Sequence, residues 1–305
     1  MAERFNYGGQ AVIEGVMMRG QKAMAVAVRQ PNGKVTVYSE PLDKGFYRSP
    51  WAKRPFIRGV LLLWDTLALG MRALVYSANV AAQEETESAA QDAFGGRVMW
   101  GTMAVALTFG IGIFFVSPLL VTRAIDRHLP SAAVSVLFEG LVRLALFFGY
   151  IWLIGRLPDV QRVFAYHGAE HKAINAFEAG EPMQPGRVLR YSVAHPRCGT
   201  SFLLFVALLS ILVFVLVGRP ALPVRLASRI VLVPVIAALA YELIRFAARH
   251  TRHPMVRLLL APGLALQALT TREPDAAQVE VAIAALERVL ETDGVPKRQD
   301  AATLT

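Results

Sequence analysis

Two short segments hold most of the side chains with which this sequence could do chemistry. The first is Tyr166-His167-Gly168-Ala169-Glu170-His171-Lys172, with two histidines four residues apart. On a helix those positions share one face, a turn apart, so both imidazoles can meet one metal ion. Glu170 follows His167 by three residues and lies close to the same face. His-x-x-Glu-His inverts the His-Glu-x-x-His motif of zinc proteases. In that chemistry the histidines bind zinc and the glutamate takes a proton from a water activated by the ion. The second segment is His195-Pro196-Arg197-Cys198-Gly199-Thr200-Ser201, immediately before a long apolar run. A cysteine at a helix N-terminus has its thiolate favoured by the dipole and by free backbone N–H groups. Thiolate is also the form that zinc binds. Three of the six histidines and the only cysteine therefore fall between positions 167 and 198.

Each of these residues has an ordinary structural role open to it. Interfacial histidines hydrogen-bond near headgroups, and a lone cysteine usually behaves as a small hydrophobe. Their clustering favours a metal site, with zinc the divalent ion best suited to mixed imidazole and thiolate ligands. Two versions stand. In one, His167, His171 and either His195 or Cys198 leave an open position, and Glu170 is the general base. In the other, His167, His171, His195 and Cys198 close a tetrahedral structural shell, and Glu170 orients an imidazole. His128, His250 and His253 lie apart from the cluster.

The elements that must position this chemistry are apolar. The 305 residues are 54% hydrophobic and 18% charged, with mean hydropathy +0.42. That composition excludes a disordered chain and argues against an ordinary water-soluble enzyme. A single cysteine excludes an internal disulfide and multi-cysteine zinc-finger or iron–sulfur sites. Four stretches approach or exceed the length needed to cross a bilayer: about Val98–Thr122, Ala132–Ile154, Thr200–Val217 and Leu226–Ile244. Glu139 and Arg143, four apart in the second, are spaced to pair. With Glu242 they also raise transport as a third function class. Val60–Ala82 carries Asp65 and Arg72 and reads as an amphipathic helix lying on the membrane or packed against the spans, rather than as a fifth span.

The net charge of +9 follows the same layout. Lys and Arg number twelve in residues 1–97, six in 155–199 and eight in 245–305, against four in the two short loops between paired spans. The positive-inside rule then puts both termini and the 155–199 segment in the cytoplasm. No basic stripe is left over for nucleic acid.

The expected fold is mainly α and polytopic. It has about four transmembrane helices, a small N-terminal β-hairpin region and a cytoplasmic metal-binding loop. The divisions are 1–59 (β-rich N-terminal region), 60–97 (amphipathic helix and acidic linker), 98–154 (transmembrane hairpin), 155–199 (metal-site loop), 200–244 (transmembrane hairpin) and 245–305 (C-terminal region with an amphipathic helix). The hairpin is predicted from Lys22–Gln30 and Lys34–Glu40 around Pro31-Asn32-Gly33. Residues 8–20, GGQAVIEGVMMRG, read as a structural turn rather than a phosphate loop, because they contain no Gly-Lys-Ser/Thr. Asp275 and Gln278 form a capping box ahead of a helix with Val279, Ile283, Leu286 and Leu290 on one face. Residues 293–305 read as a frayed tail.

The segments GGQAVIEGVMMRG (8–20), YHGAEHK (166–172), HPRCGTSF (195–202) and TTREPDAAQVEVAIAAL (270–286) resemble the YqhQ-like family of bacterial multi-pass membrane proteins, described as predicted metal-dependent enzymes. The resemblance implies a bacterial cytoplasmic (inner) membrane location and a metal site at His167, His171, His195 and Cys198. It supplies no substrate. The expected function is a zinc-dependent membrane hydrolase with Glu170 as catalytic base. Its partners would be the lipid bilayer and a lipid-linked or peptide substrate. The alternative is a membrane scaffold with a closed structural zinc site.

Overall fold

The computed structural model describes residues 5, 7–42, 54, 57–82, 97–218, 220–250 and 253–296. The acidic linker expected over 83–97 lies, except for Arg97, outside them, as do residues 297–305 of the expected tail.

The chain is mainly helical, with one small antiparallel sheet. Strands β1 (Gly8–Val12), β2 (Gly15–Arg19), β3 (Ala23–Arg29) and β4 (Val35–Pro41) pair in chain order. The predicted hairpin is β3–β4, with Arg29 opposite Val35 and Gly33 at φ 84° in the turn. The glycine-rich segment forms a second hairpin, β1–β2, which turns at Ile13-Glu14. Gly15 sits there because a Cβ would come within 2.2 Å of the Ala27 carbonyl oxygen across the sheet.

Strand side chains alternate between two faces, and here both faces are covered. Val16, Met18, Ala25 and Ala27 share a core with helices α5 (Pro158–Ala179) and α10 (Ala276–Asp293). Val12, Met17, Met24, Val26 and Val28 pack with Leu69 and Ala73 of helix α1 (Ile57–Ala82). Coverage on both sides explains why β3 reads as a continuous apolar run. Helix α1 is thus a layer of this small domain, and it also packs against a membrane-length helix. Its charges are matched: Asp65 pairs with Arg19 at 3.0 Å and Arg72 with Glu40 at 2.5 Å. Helix α10 begins at the expected capping box, Asp275 with Gln278. It buries Val279, Ile283, Leu286 and Leu290 against the sheet and α5. Each such side chain contributes about 1.5–3 kcal/mol on burial.

Four helices are long and apolar enough to cross a membrane: Ala104–His128, Ala132–Ile154, Gly199–Val217 and Pro223–Ala247. The first runs from α2 (Arg97–Ile111) through a π-helical turn (Gly112–Val116) into α3 (Ser117–Ile125). The second is α4 (Ala132–Ile154), the third α7 (Gly199–Val217), and the fourth lies within α8 (Leu222–Arg249). Glu242 of α8 pairs with Arg58 of α1, tying the span to the sheet domain. The shorter apolar helix α9 (Pro254–Thr270) packs against α7. It comes close because Gly263 faces Ser201, where a Cβ would approach to 2.9 Å.

Candidate metal centre

The site was expected on a loop, but its first half is helical. Residues 158–179 form α5, started by Pro158 and ended by Gly180 in the left-handed conformation at φ 89°. On a helix, His167 and His171 do share a face, and their ring centroids lie 4.4 Å apart. After the short helix α6 (Pro185–Val188), the chain returns along α5 to Cys198. Cys198 is the N-cap residue of α7, as its place before the apolar run foretold.

Polar anchors, with Lys172 and Gln267 buried, hold the returning chain. Lys172 donates from Nζ to the carbonyls of Leu189 (2.8 Å) and Tyr191 (2.7 Å), and pairs with Glu273 at 2.9 Å. Asn175 donates to the carbonyls of Ser192 and Ala194. Gln267 of α9 grips His195 by its main chain: the His195 N–H donates to Gln267 Oε1 at 2.9 Å, and Gln267 Nε2 donates to the His195 carbonyl at 2.8 Å. Gly168 lets the segment after α9 lie against α5; the Arg272 N–H donates to the Phe164 carbonyl at 2.9 Å.

These anchors bring one ligand atom each from His167, His171 and Cys198 within 4.8 Å of one another. Each imidazole is oriented through Nδ1, His167 against the Thr270 carbonyl at 2.9 Å and His171 against the Val193 carbonyl at 2.5 Å. An Nδ1–H donated to a carbonyl leaves Nε2 as the lone-pair nitrogen, the arrangement usual for metal-binding histidines. His167 Nε2 lies 3.3 Å from Cys198 Sγ, which also contacts Thr200 Oγ1 at 3.0 Å. Two imidazoles and a thiolate are a donor set that suits zinc. The three residues therefore fit the ion expected from sequence.

His195 is placed beside this group and not in it. Its ring centroid is 5.6 Å from that of His171. Its Nε2 is buried without a hydrogen-bond partner, 4.0 Å from a Glu178 carboxylate oxygen. Burial alone would raise the Glu178 carboxyl. His195 and the Arg197 guanidinium outweigh burial and hold it below the usual range. Glu170 is buried at the edge of the cluster. Its Oε1 accepts the Gly9 N–H of β1 at 2.9 Å, and its Oε2 lies 3.5 Å from His171 Nε2.

The sheet is thus part of the site. Glu14, in the β1–β2 turn at φ 50°, accepts both Nε (2.6 Å) and Nη2 (2.5 Å) of Arg162, and the Tyr166 hydroxyl at 3.3 Å. Burial, then the nearby Glu14 carboxylate, push the Tyr166 phenol above its ordinary range. Sequence reasoning did not find Gly9, Lys172, Asn175 or Gln267. The contributions of Thr270 and Val193 are main-chain carbonyls, which leave no mark in residue type.

The family model for "Protein of unknown function (DUF1385)" matches residues 54–292. The chain belongs to the DUF1385 family. It is also 32% identical over 300 residues to the "Uncharacterized protein YqhQ" of Bacillus subtilis (strain 168), across 96% of this chain and 94% of that protein. The resemblance noted in the sequence thus extends over nearly the whole length, including the sheet and α10. No solved structure matches the chain.

Proposed function

We propose that this DUF1385 protein is a zinc-dependent hydrolase of a bacterial cytoplasmic membrane, with its site where the spans meet the cytoplasm. One observation carries the reading: three ligand atoms, on His167, His171 and Cys198, converge within 4.8 Å while His195 stays outside the group. Three protein ligands are what a catalytic zinc site keeps. An ion held there would act as a Lewis acid and lower the pKa of a water. Glu170 supplies the base. The Gly9 N–H occupies its Oε1 and fixes the carboxylate, and Oε2 faces the ligand cluster to accept a proton. Cys198 heads a span and Thr270 ends α9, whose Met255 and Leu258 are exposed. That setting suits a substrate presented at the membrane surface, lipid-linked or peptide.

The scaffold reading keeps one observation of its own. The buried, unpartnered Nε2 of His195 is a donor atom near the group that a closed shell could recruit.

Glu170→Gln separates the two. The amide keeps size and one acceptor but removes the base. The hydrolase reading expects full metal content, an unchanged melting temperature, and failure to complement a deletion strain. Full complementation overturns it. A reporter fused after Thr305 should read as cytoplasmic. An external signal would invert the orientation and move the site to the other face.

A further inference from the structure

Glu139 lies in α4 and is 1% exposed, deep among the spans. Three guanidiniums converge on its carboxylate. Arg143 Nη2 donates at 2.9 Å and Arg229 Nη2 at 2.5 Å to one oxygen, and Arg225 Nη2 donates to the other. Only the Glu139–Arg143 pairing is expected from spacing; Arg225 and Arg229 come from α8. All three arginines are 9% exposed or less.

One carboxylate balances one cation, so two positive charges remain. Among the described residues no other carboxylate pairs with these arginines. Arg225 Nε is enclosed and has no hydrogen-bond partner. The assembly is also braced. Arg143 Nε donates to the Phe114 carbonyl at 2.9 Å, in the π-helical turn. Arg143 lies over the Phe115 ring at 5.3 Å and Arg229 over Phe214 at 4.4 Å. π-Helical turns inside helices frequently mark functional sites.

Charges within spans are costly, and an intramembrane charge cluster points by default to a functional site. Neutralising Glu139 needs only one arginine. Guanidinium forks match tetrahedral oxyanions in a way that ammonium groups do not. Arg225 is the fourth residue of α8, and Arg229 lies about 6 Å further along it, just over one turn on. The cluster runs from near the start of α8 to the middle of α4, where Arg143 lies, whereas the His167 cluster follows the end of α4. We propose that Arg143, Arg225 and Arg229 form a binding site for a phosphate-type oxyanion in the half of the spans away from the metal centre. The phosphate comes either from a lipid headgroup or from free phosphate. This assignment is independent of what the metal centre does.

The test uses the full chain purified in detergent, with two probes. One is inorganic phosphate. The other is phosphatidic acid in phosphatidylcholine micelles, with phosphatidylcholine alone as the blank. Saturable binding of the first identifies the free anion, and of the second alone a headgroup; either supports the site. Arg225→Lys keeps the charge but loses the fork, and should weaken binding about tenfold. Arg127→Lys, at an exposed position in the short 3-10 turn that closes the first membrane-length helix, should change nothing. In the wild type, bound probe should raise the melting temperature in a concentration-dependent way; this arm needs no variant to fold. No saturable binding of either probe, unchanged affinity in Arg225→Lys, or a melting temperature that neither probe shifts overturns the proposal.

Discussion

Replacing His171 with alanine is expected to strip the divalent ion from the protein. Wild-type protein, purified without chelator, should carry about one equivalent, zinc by preference for this donor set. His171 has its ring 4.4 Å by centroid from that of His167 in the cluster and 5.6 Å from that of His195 beside it. Its Nε2 also lies 3.5 Å from the Glu170 carboxylate at the site's edge. Losing a residue that merely orients a ligand typically weakens metal affinity about 10–100-fold, so loss of a ligand should go further. Elemental analysis of His171→Ala should therefore read background. His128→Ala, at the other end of the spans, should stay at the wild-type value. Because His171 is 2% exposed, the alanine also leaves a cavity. A melting curve run alongside separates loss of metal from loss of fold. A folded His171→Ala protein with full metal content would remove the site.

The second large effect comes from one missing side chain. A Cβ on Gly168 would stand 2.1 Å from the Arg272 carbonyl oxygen and 3.3 Å from Val193 Cγ1. The first neighbour is main chain and cannot swing aside. Gly168→Ala must push the segment after α9 off α5. That segment carries the Thr270 carbonyl that orients His167 and the Arg272 N–H bonded to Phe164. Overpacking of this kind costs about 1–3 kcal/mol. The expected result is a lower melting temperature together with weakened metal retention. Gly186→Ala is the matched control, since a Cβ there meets nothing within 4 Å. If Gly168→Ala melts and holds metal as the wild type does, the close approach has no part in setting the site.

Much of this was legible in the sequence, for definite reasons. Membrane-length helices announce themselves because apolar runs of about 20 residues have few other uses. Three of the four begin or end within a few residues of the expected limits, and Ala132–Ile154 matches at both ends. Asn32-Gly33 marked the hairpin, because a left-handed position there suits glycine. The Asp275–Gln278 box marked the start of α10. The four-residue spacing of His167 and His171 placed them on one helix face, and their rings lie 4.4 Å apart there.

Other features were hidden by non-local pairing. The glycine-rich segment read as a turn, and its β1–β2 pairing shows only once β3 is beside it. Helix α1 read as lying on the membrane or packed against the spans; it does pack against α8, but that it also covers the sheet was hidden, because an apolar face looks the same whether lipid or a sheet covers it. Glu139 with Arg143 was visible as an i, i+4 pair, whereas Arg225 and Arg229 arrive from a helix some ninety residues later. His195 and Cys198 could not be ranked by sequence. Which of them joins the two α5 histidines depends on how Gln267 and α7 set the intervening turn.

The hydrogen bond from Gly9 to Glu170 bears on the order in which the protein is made. The amide that fixes the carboxylate belongs to the first strand, 161 residues before Glu170, and the carbonyl that orients His167 lies 103 residues after it. The sheet face that presses on α5 is completed by α10, translated later still. A growing chain therefore emerges with its histidines before it has the means to aim them. Until the last helix has been synthesised and packed, the bilayer can receive the spans while the residues of the centre remain unaligned.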